Sequence, residues 1–144
     1  MTTAAFHFNV ENRLHYTCRL LRKAAAAGNR LVVTGSDEIL DQLDRDLWAL
    51  SATEFLSHCR WGGSASLVQR SAVVLCQSLD GVAGRDVLVN LAESVPPGVE
   101  SFERVLEVVT VDPVAQGLAR SRWKHYVKTG LTLVSHDLGH RAAP

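Results

Sequence analysis

The chain has 144 residues, the size of one globular domain with a substantial hydrophobic core. Apolar residues make up 47%, and 15 Lys and Arg balance 15 Asp and Glu to a net charge of zero. A protein that grips duplex phosphates normally carries a basic excess, so direct DNA binding is not the expected main activity. Three cysteines without CxxC spacing predict no disulfide framework. With neither a signal peptide nor a membrane-length apolar run, we expect a cytoplasmic protein.

The first half of the chain alternates strand and helix patterns. Apolar and polar residues alternate over Ala5–Val10, which predicts a strand, and an apolar face of helical period follows over about residues 12–27. Gly28 ends that helix, since glycine adopts a left-handed cap at least cost. Arg30–Thr34 is a short β-branched strand, and a second helix with an acidic first turn covers about residues 35–50.

The second half adds three strands and one long helix. A capping-box pattern at residues 51–54 predicts a short helix, and Cys59–Arg70 is expected to be a loop because it has glycines, serines and no period. Asp112-Pro113 is a good helix start, with a final helix over about residues 113–129. Residues 131–144 are expected to form a C-terminal tail. The predicted strands are Ala72–Ser78, Arg85–Leu91 and Arg104–Val111.

These elements predict a single three-layer α/β/α domain over residues 1–144. The sheet should have about five strands and be mostly parallel, because helices connect several of them. The short link near residues 79–85 favours one antiparallel neighbour, and therefore a mixed sheet. The fold is Rossmann-like without a nucleotide fingerprint, since the first strand-to-helix turn, Val10–Arg13, contains no glycine.

Motifs for catalysis, cofactors and metals are weak. Gly35, between Thr34 and Ser36, offers a turn that could hold an anion, although a plain turn and cap is the commoner reading. His136 and His140 lie one helical turn apart only if the tail is helical, and two ligands make a poor metal site. We predict no catalytic residues, no cofactor and no metal.

The final helix carries an unusual outer face. At 100° per residue, Ala115, Leu118, Ala119 and Tyr126 should face the sheet. Arg120, Lys124 and Lys128 then form a stripe of cations on the outside, which we call the basic stripe. Trp123 and Val127 lie beside it. Such a surface suits a ligand that has a carboxylate next to an apolar group, although a solvated basic face with Trp123 in the core is the alternative. These residues are the candidate site.

A second aromatic pair lies near the middle of the chain. Trp48 ends the second helix, and Phe55 follows seven residues later. Apolar residues on protruding elements often form protein interfaces. The equally open alternative is a small cluster packed under the Cys59–Arg70 loop.

The order of these motifs resembles the chi subunit family of bacterial DNA polymerase III. The matches cover nearly the whole chain. They are LDRDLW at 43–48, Glu54-Phe55 and His58, LARSRWKHY at 118–126 followed by Gly130, AGNRLVV at 27–33, the opening strand and the region Phe102–Val109.

The resemblance implies an accessory subunit of the clamp loader with a nucleotide-binding-like fold but no nucleotide chemistry. Chi subunits join the psi subunit and bind the acidic C-terminal tail of single-stranded DNA-binding protein, which ends in an apolar residue bearing the terminal carboxylate. DNA contact would then be indirect, and no membrane is involved.

Family tail-binding residues carry over onto Arg120, Trp123 and Lys124, with Val109 at the neighbouring strand end; Val127 and Lys128 complete the predicted site. A family lysine falls on Gln116, a later basic position falls on Val127, and Trp123 replaces a tyrosine. Trp48 and Phe55 match the aromatics that face psi or an alternative helicase partner.

Two other functions compete with this adaptor hypothesis. One is a small nucleotide-binding or hydrolytic enzyme that uses the crevice at the strand ends. The other is direct DNA binding through the basic stripe, which the zero net charge makes less favourable.

Overall fold

The computed structural model describes residues 2–49, 56–82 and 85–139, and its sheet has helices on both faces. The strands are β1 (Thr3–Val10), β2 (Leu31–Thr34), β3 (His58–Arg60), β4 (Val73–Cys76), β5 (Val87–Asn90), β6 (Arg104–Thr110) and β7 (Thr132–Asp137). The helices are α1 (Arg13–Ala26), α2 (Asp37–Trp48), α3 (Ala65–Arg70) and α4 (Pro113–Lys128). The predicted α/β class is confirmed.

The sheet has seven strands in the order β3-β4-β2-β5-β6-β1-β7. Every pairing among the described residues is parallel, so the predicted antiparallel neighbour and the mixed sheet are wrong. β2 lies between β4 and β5, and the connection from β4 to β5 therefore passes an intervening strand. The short link suggested a hairpin because sequence spacing does not reveal such an insertion.

The predicted loop at Cys59–Arg70 is also wrong in part. β3 occupies His58–Arg60, and α3 begins after Ser64, whose hydroxyl accepts a hydrogen bond from the Leu67 amide at 3.1 Å. A strand of three residues and a helix of six residues are too short to show a hydrophobic period. None of the α3 residues is buried, which removes the apolar signal as well.

The segment treated as a tail contains β7, which is the last strand at one edge of the sheet. β7 pairs in parallel with β1 from Thr3↔Thr132 to Phe8↔Asp137. Most of its residues are exposed, so its sequence lacks the apolar run of the interior strands. Residues 140–144 lie outside the described part of the chain.

The core lies on both faces of the sheet. α1 and α2 cover one face with Cys18, Leu21, Leu40, Leu43 and Leu47. α4 covers the opposite face, where Ala119 and Tyr126 pack with Phe6 of β1 and Val105 of β6. The predicted start of α4 is confirmed, because the Asp112 carboxylate accepts a hydrogen bond from the Ala115 amide at 3.0 Å.

No helix in the described ranges is both long and apolar enough to cross a bilayer.

Candidate functional site

The orientation of α4 differs from the prediction at two positions. Ala119 and Tyr126 face the sheet as expected, but Leu118 is 36% exposed. Arg122 is buried in its place, with 6% of its surface exposed. At 100° per residue Arg122 and Ala119 flank Tyr126 closely, while Leu118 lies further round the helix. An arginine can take this position only because it meets a carboxylate inside.

That carboxylate belongs to Glu107, a fully buried residue of β6. Its Oε1 accepts from Arg122 Nε at 2.9 Å, and its Oε2 accepts from Tyr126 Oη at 2.7 Å and from Asn90 Nδ2 at 3.0 Å. The Thr34 hydroxyl then donates to Asn90 Oδ1 at 2.9 Å. We call these five residues the buried network, and they connect α4 to three neighbouring strands.

Burial shifts the protonation equilibria in the buried network. It raises the pKa of Glu107 above the ordinary glutamate value, although Arg122 and two hydrogen bonds oppose this effect. Burial and the adjacent Glu107 also raise the pKa of Tyr126, which remains a neutral donor. The buried network was not predicted. Its signal was a lone acidic residue inside the apolar strand RVLEVVT.

A hollow of about 440 Å³ opens beside α4, on the side of the helix that faces β1 and β7. Its lining combines an apolar base with a polar rim. The lining residues are Phe6, Phe8, Asn9, Val109, Gln116, Ala119, Arg120, Trp123 and Ser135. The hollow is therefore large enough to take one or two side chains of a ligand.

Trp123 forms one wall of the hollow. Its ring lies 5.1 Å from that of Phe6, at an interplanar angle of 59°, and the side chain packs against the core cluster around Tyr126. Trp123 is half-buried rather than sealed inside. One part of the indole thus belongs to the core, while another part faces the hollow. The two alternatives from the sequence, a binding surface and a core position, therefore each describe part of the environment of Trp123.

The structure brings together three of the predicted site residues and leaves three outside. Arg120, Trp123 and Val109 surround the hollow. Lys124 and Lys128 are exposed along the helix beyond Arg120, and Val127 is 56% exposed, but none of these three lines the hollow. In the described residues, the three cations of the basic stripe make no ion pair.

Asn9 and Gln116 complete the rim. Asn9 has a φ of 62°, and the β1 ladder shifts register between His7 and Val10. Its amide nitrogen donates to Asp137 Oδ1 at 2.7 Å, and its Oδ1 accepts from Gln116 Nε2 at 3.4 Å. This bulge was not predicted, yet asparagine tolerates the left-handed region better than most residues.

Trp48 lies far from the hollow. It is 60% exposed at the end of α2, and its ring is 4.9 Å from the ring of His58. The His58 ring is buried, with Nε2 at 3.0 Å from Asp44 Oδ1. Phe55, its predicted companion, lies outside the described residues.

The residues considered for catalysis or ligand binding are packed against neighbouring side chains. Gly35 is buried, and a Cβ there would meet Leu91 at 3.5 Å, so packing rather than an open anion site explains this glycine. Burial raises the pKa of Cys18 and of Cys76 to about 11, which makes both thiols poor nucleophiles at neutral pH. His136 packs near the His7 ring. Within the described ranges, no cluster of three His, Cys, Asp or Glu side chains could hold a metal ion.

The fold places the chain among doubly wound, parallel α/β domains. The C-terminal domain of Dbp5 from S. cerevisiae is similar in structure, with a TM-score of 0.57 and 11% identity over 90% of this chain and 88% of that domain. At this identity the likeness concerns the fold alone.

Sequence comparison defines the family. The model of the family described as DNA polymerase III chi subunit, HolC, matches residues 1–134. DNA polymerase III subunit chi of Pseudomonas aeruginosa is 32% identical, over 88% of this chain and 87% of its own length. The subunit of Haemophilus influenzae is 24% identical, over 95% and 98%.

This chain therefore belongs to the DNA polymerase III chi subunit family, and the predicted resemblance is confirmed. Its place is in DNA replication, as an accessory subunit with protein partners inside the polymerase III holoenzyme.

Proposed function

We propose that the protein is a non-catalytic adaptor in the cytoplasm, which links the clamp loader, through a psi subunit, to the acidic C-terminal tail of single-stranded DNA-binding protein. The observation that supports this most strongly is the hollow beside α4. It combines an apolar base with Arg120 at its rim, a cation that makes no ion pair within the described ranges.

The chemistry of such a tail matches this arrangement. Its last side chain is apolar and fits between Phe6, Val109 and Trp123, while its terminal carboxylate accepts hydrogen bonds from the Arg120 guanidinium. The acidic residues that precede the terminus then lie near Lys124 and Lys128 on the exposed part of α4. Recognition needs both parts, because neither a free acid nor an apolar group alone satisfies the site.

The affinity should be modest and sensitive to salt. Gln116, at a position where the family resemblance implies a lysine, contributes no charge and hydrogen-bonds to Asn9. The remaining cations are exposed, and each exposed ion pair stabilises a complex by about 0.2–1 kcal/mol. The apolar contact in the hollow must therefore contribute a large share of the binding free energy.

Titration with an acidic peptide that ends in phenylalanine tests the proposal. We expect Arg120→Ala to weaken binding about twofold to fivefold, and C-terminal amidation of the peptide to weaken binding of the natural protein similarly. Arg104→Ala is the matched control, since Arg104 is exposed at the start of β6, whereas the hollow is lined by Val109 near the end of that strand. If Arg120→Ala and Arg104→Ala bind the acidic peptide with the same affinity, the hollow is not the binding site for the tail.

The exposed end of α2 is proposed as the surface for psi or for an alternative helicase partner. Trp48 offers a largely exposed indole there, held beside the His58 ring. Trp48→Ala should abolish co-purification with psi and leave binding of the acidic peptide unchanged, because the two surfaces are separate. If Trp48→Ala still co-purified with psi but no longer bound the acidic peptide, the assignment of the two surfaces would be wrong. Phe55→Ala tests the second aromatic residue of the predicted pair.

A further inference from the structure

The zero net charge conceals a strong separation of charge between helices. Five of the twelve residues of α2 are acidic. α1 and α4 contain no acidic residue at all, and each of them carries four arginines or lysines. Because α1 and α4 cover opposite faces of the sheet, the β1–β7 edge has basic helices on both sides.

The outer edge of β7 has no partner strand in the described ranges. The Thr132 amide donates to the Thr2 carbonyl at 3.2 Å, so the peptide groups of Thr132, Val134 and His136 point toward β1. In a parallel ladder the alternate residues point away, which directs the N–H and C=O groups of Leu133 and Ser135 outward. These groups offer hydrogen bonds to an additional strand.

A second cleft lies on the α1 side of the same edge. Its lining includes Arg19 and Lys23 of α1, His136 and also Ser135, which lines the hollow on the α4 side as well. Arg19 and Lys23 are exposed and make no ion pair with a residue of the described ranges. The two clefts therefore meet at Ser135, on the free edge of the sheet.

We propose that β7 is a docking strand for an extended acidic polypeptide, which adds to the sheet edge and places alternate carboxylates near α4 and near α1. This proposal rests on the proposed function, because it extends the same ligand beyond the hollow. Charge complementarity on both faces favours an acidic peptide. Outward backbone groups favour a polypeptide over a nucleic acid, since only a polypeptide pairs with them in a regular ladder.

Substitution of the edge strand tests the backbone part of the proposal. Ser135→Pro removes an outward N–H and leaves the β1–β7 ladder its donors. We expect the long acidic peptide to bind at least about fivefold more weakly to Ser135→Pro than to Ser135→Ala, while a short peptide with only the final residues binds the two variants alike. Ser135→Ala is the matched control, because it removes the hydroxyl that lines the hollow and keeps the outward N–H. Strand addition would be refuted if Ser135→Ala lost as much affinity for the long peptide as Ser135→Pro, or if Ser135→Pro lost none.

Charge reversal tests the α1 side. Arg19→Glu combined with Lys23→Glu should weaken the long peptide about tenfold at low salt and spare the short one. Arg45→Glu combined with Arg70→Glu makes the same change in net charge at exposed positions of α2 and α3, away from this edge, and should have little effect.

The outcomes separate the two proposals. If Arg120→Ala weakens both peptides but the α1 and β7 variants do not matter, only the docking strand is refuted. If Arg120→Ala has no effect on either peptide, the proposed function fails as well. A single-stranded oligonucleotide is the third probe: if the α1 reversal weakens its binding but not that of the long peptide, the cleft is a nucleic-acid site and the proposal is wrong.

Discussion

Glu107 shows how a single buried charge determines the position of the candidate site. Its carboxylate is fully buried and receives hydrogen bonds from Arg122, Tyr126 and Asn90. Removal of such a group leaves several buried donors without acceptors, which costs far more than the intact pair contributes. Because Arg122 and Tyr126 both belong to α4, the network holds the helix that forms one wall of the hollow.

Glu107→Ala should lower the free energy of unfolding by about 3–5 kcal/mol, because Arg122 loses its only buried carboxylate in the described ranges. Chemical denaturation monitored by circular dichroism measures this loss. Glu103→Ala, an exposed change in the same segment, should stay within about 0.5 kcal/mol of the natural protein. A loss below about 1 kcal/mol for Glu107→Ala would show that the network does not hold α4.

The pH dependence of stability follows from the raised pKa of Glu107. The folded state holds this proton more tightly than the unfolded chain, where the ordinary value is 4.5. The contribution of this side chain is therefore fully present below pH 4.5 and declines as the pH rises through the folded pKa. Tyr126, whose pKa is raised, stays neutral across this window.

Glu107→Gln provides the comparison. The unfolding free energy of the natural protein minus that of Glu107→Gln should decrease as the pH rises above 4.5, because only the natural side chain can ionise. All other titrating groups are common to both proteins and cancel. A difference that increases with pH would mean that Arg122 outweighs burial and that the folded pKa is lowered.

At the scale of elements, the end of β1 makes side-chain hydrogen bonds to both β7 and α4. Asn9 connects β1 to β7 through Asp137 and to α4 through Gln116, while its own backbone is left-handed. The asparagine thus combines a bulge with two side-chain contacts at one point of the rim.

Asn9→Gly and Asn9→Val separate these two contributions. Glycine keeps the left-handed backbone and loses both hydrogen bonds, so we expect a loss of about 1–2 kcal/mol in unfolding free energy. Valine loses the same bonds and adds backbone strain of about 1–3 kcal/mol. Thermal unfolding under identical conditions compares them. Equal stability of the two variants would show that the backbone relaxes out of the left-handed region.

The sequence predicted long, buried elements well and short, exposed ones poorly. α1, α2 and α4 have clear apolar periods or caps, and the apolar runs Leu31–Val33 and Val73–Cys76 mark β2 and β4. β3 and α3 were missed because three and six residues are too few to show a period. β7 was missed because an exposed edge strand needs few apolar side chains. Strand order stayed hidden, since pairing depends on contacts that are distant in sequence.

At the scale of the whole molecule, the charges are balanced in number but not in space. α2 is acidic, whereas α1 and α4 are basic on either side of the β7 edge. Net charge alone therefore gives a poor picture of the partners, because a local field reaches about one Debye length and not across the domain. A weak but salt-dependent attraction for acidic ligands is the expected consequence.

Added salt should weaken peptide binding strongly and change the free energy of unfolding little. Raising the ionic strength from about 0.01 M to about 1 M shortens the Debye length about tenfold, so binding of the acidic peptide should weaken at least about tenfold. The unfolding free energy should change little, because Glu107 and Arg122 are shielded from solvent. Isothermal titration at several salt concentrations measures the first quantity, and denaturant melts measure the second. Peptide affinity independent of salt would exclude the basic stripe as a contributor.

The candidate site was predictable only in part. The basic stripe and Trp123 follow from helical spacing and from the family resemblance. The hollow needed Phe6, Phe8 and Ser135, which come from strands that no spacing rule links to α4. The structure also leaves Lys124, Val127 and Lys128 outside the lining: both lysines are turned away from Trp123, and Val127 lies one turn beyond Trp123 along the helix. Helical periodicity gives the direction of a side chain but not the shape of the surface it meets.

The three tryptophans allow the most direct test of ligand binding at the hollow. Trp123 lines the hollow near β1 and β7, whereas Trp61 follows β3 at the opposite edge of the sheet and Trp48 lies beside His58 of β3. Each indole N–H gives a separate signal in a ¹⁵N-correlated spectrum. Titration with the acidic peptide should shift the Trp123 signal and leave Trp48 and Trp61 in place. Saturable binding that shifts Trp48 or Trp61 while Trp123 stays unchanged would contradict the account.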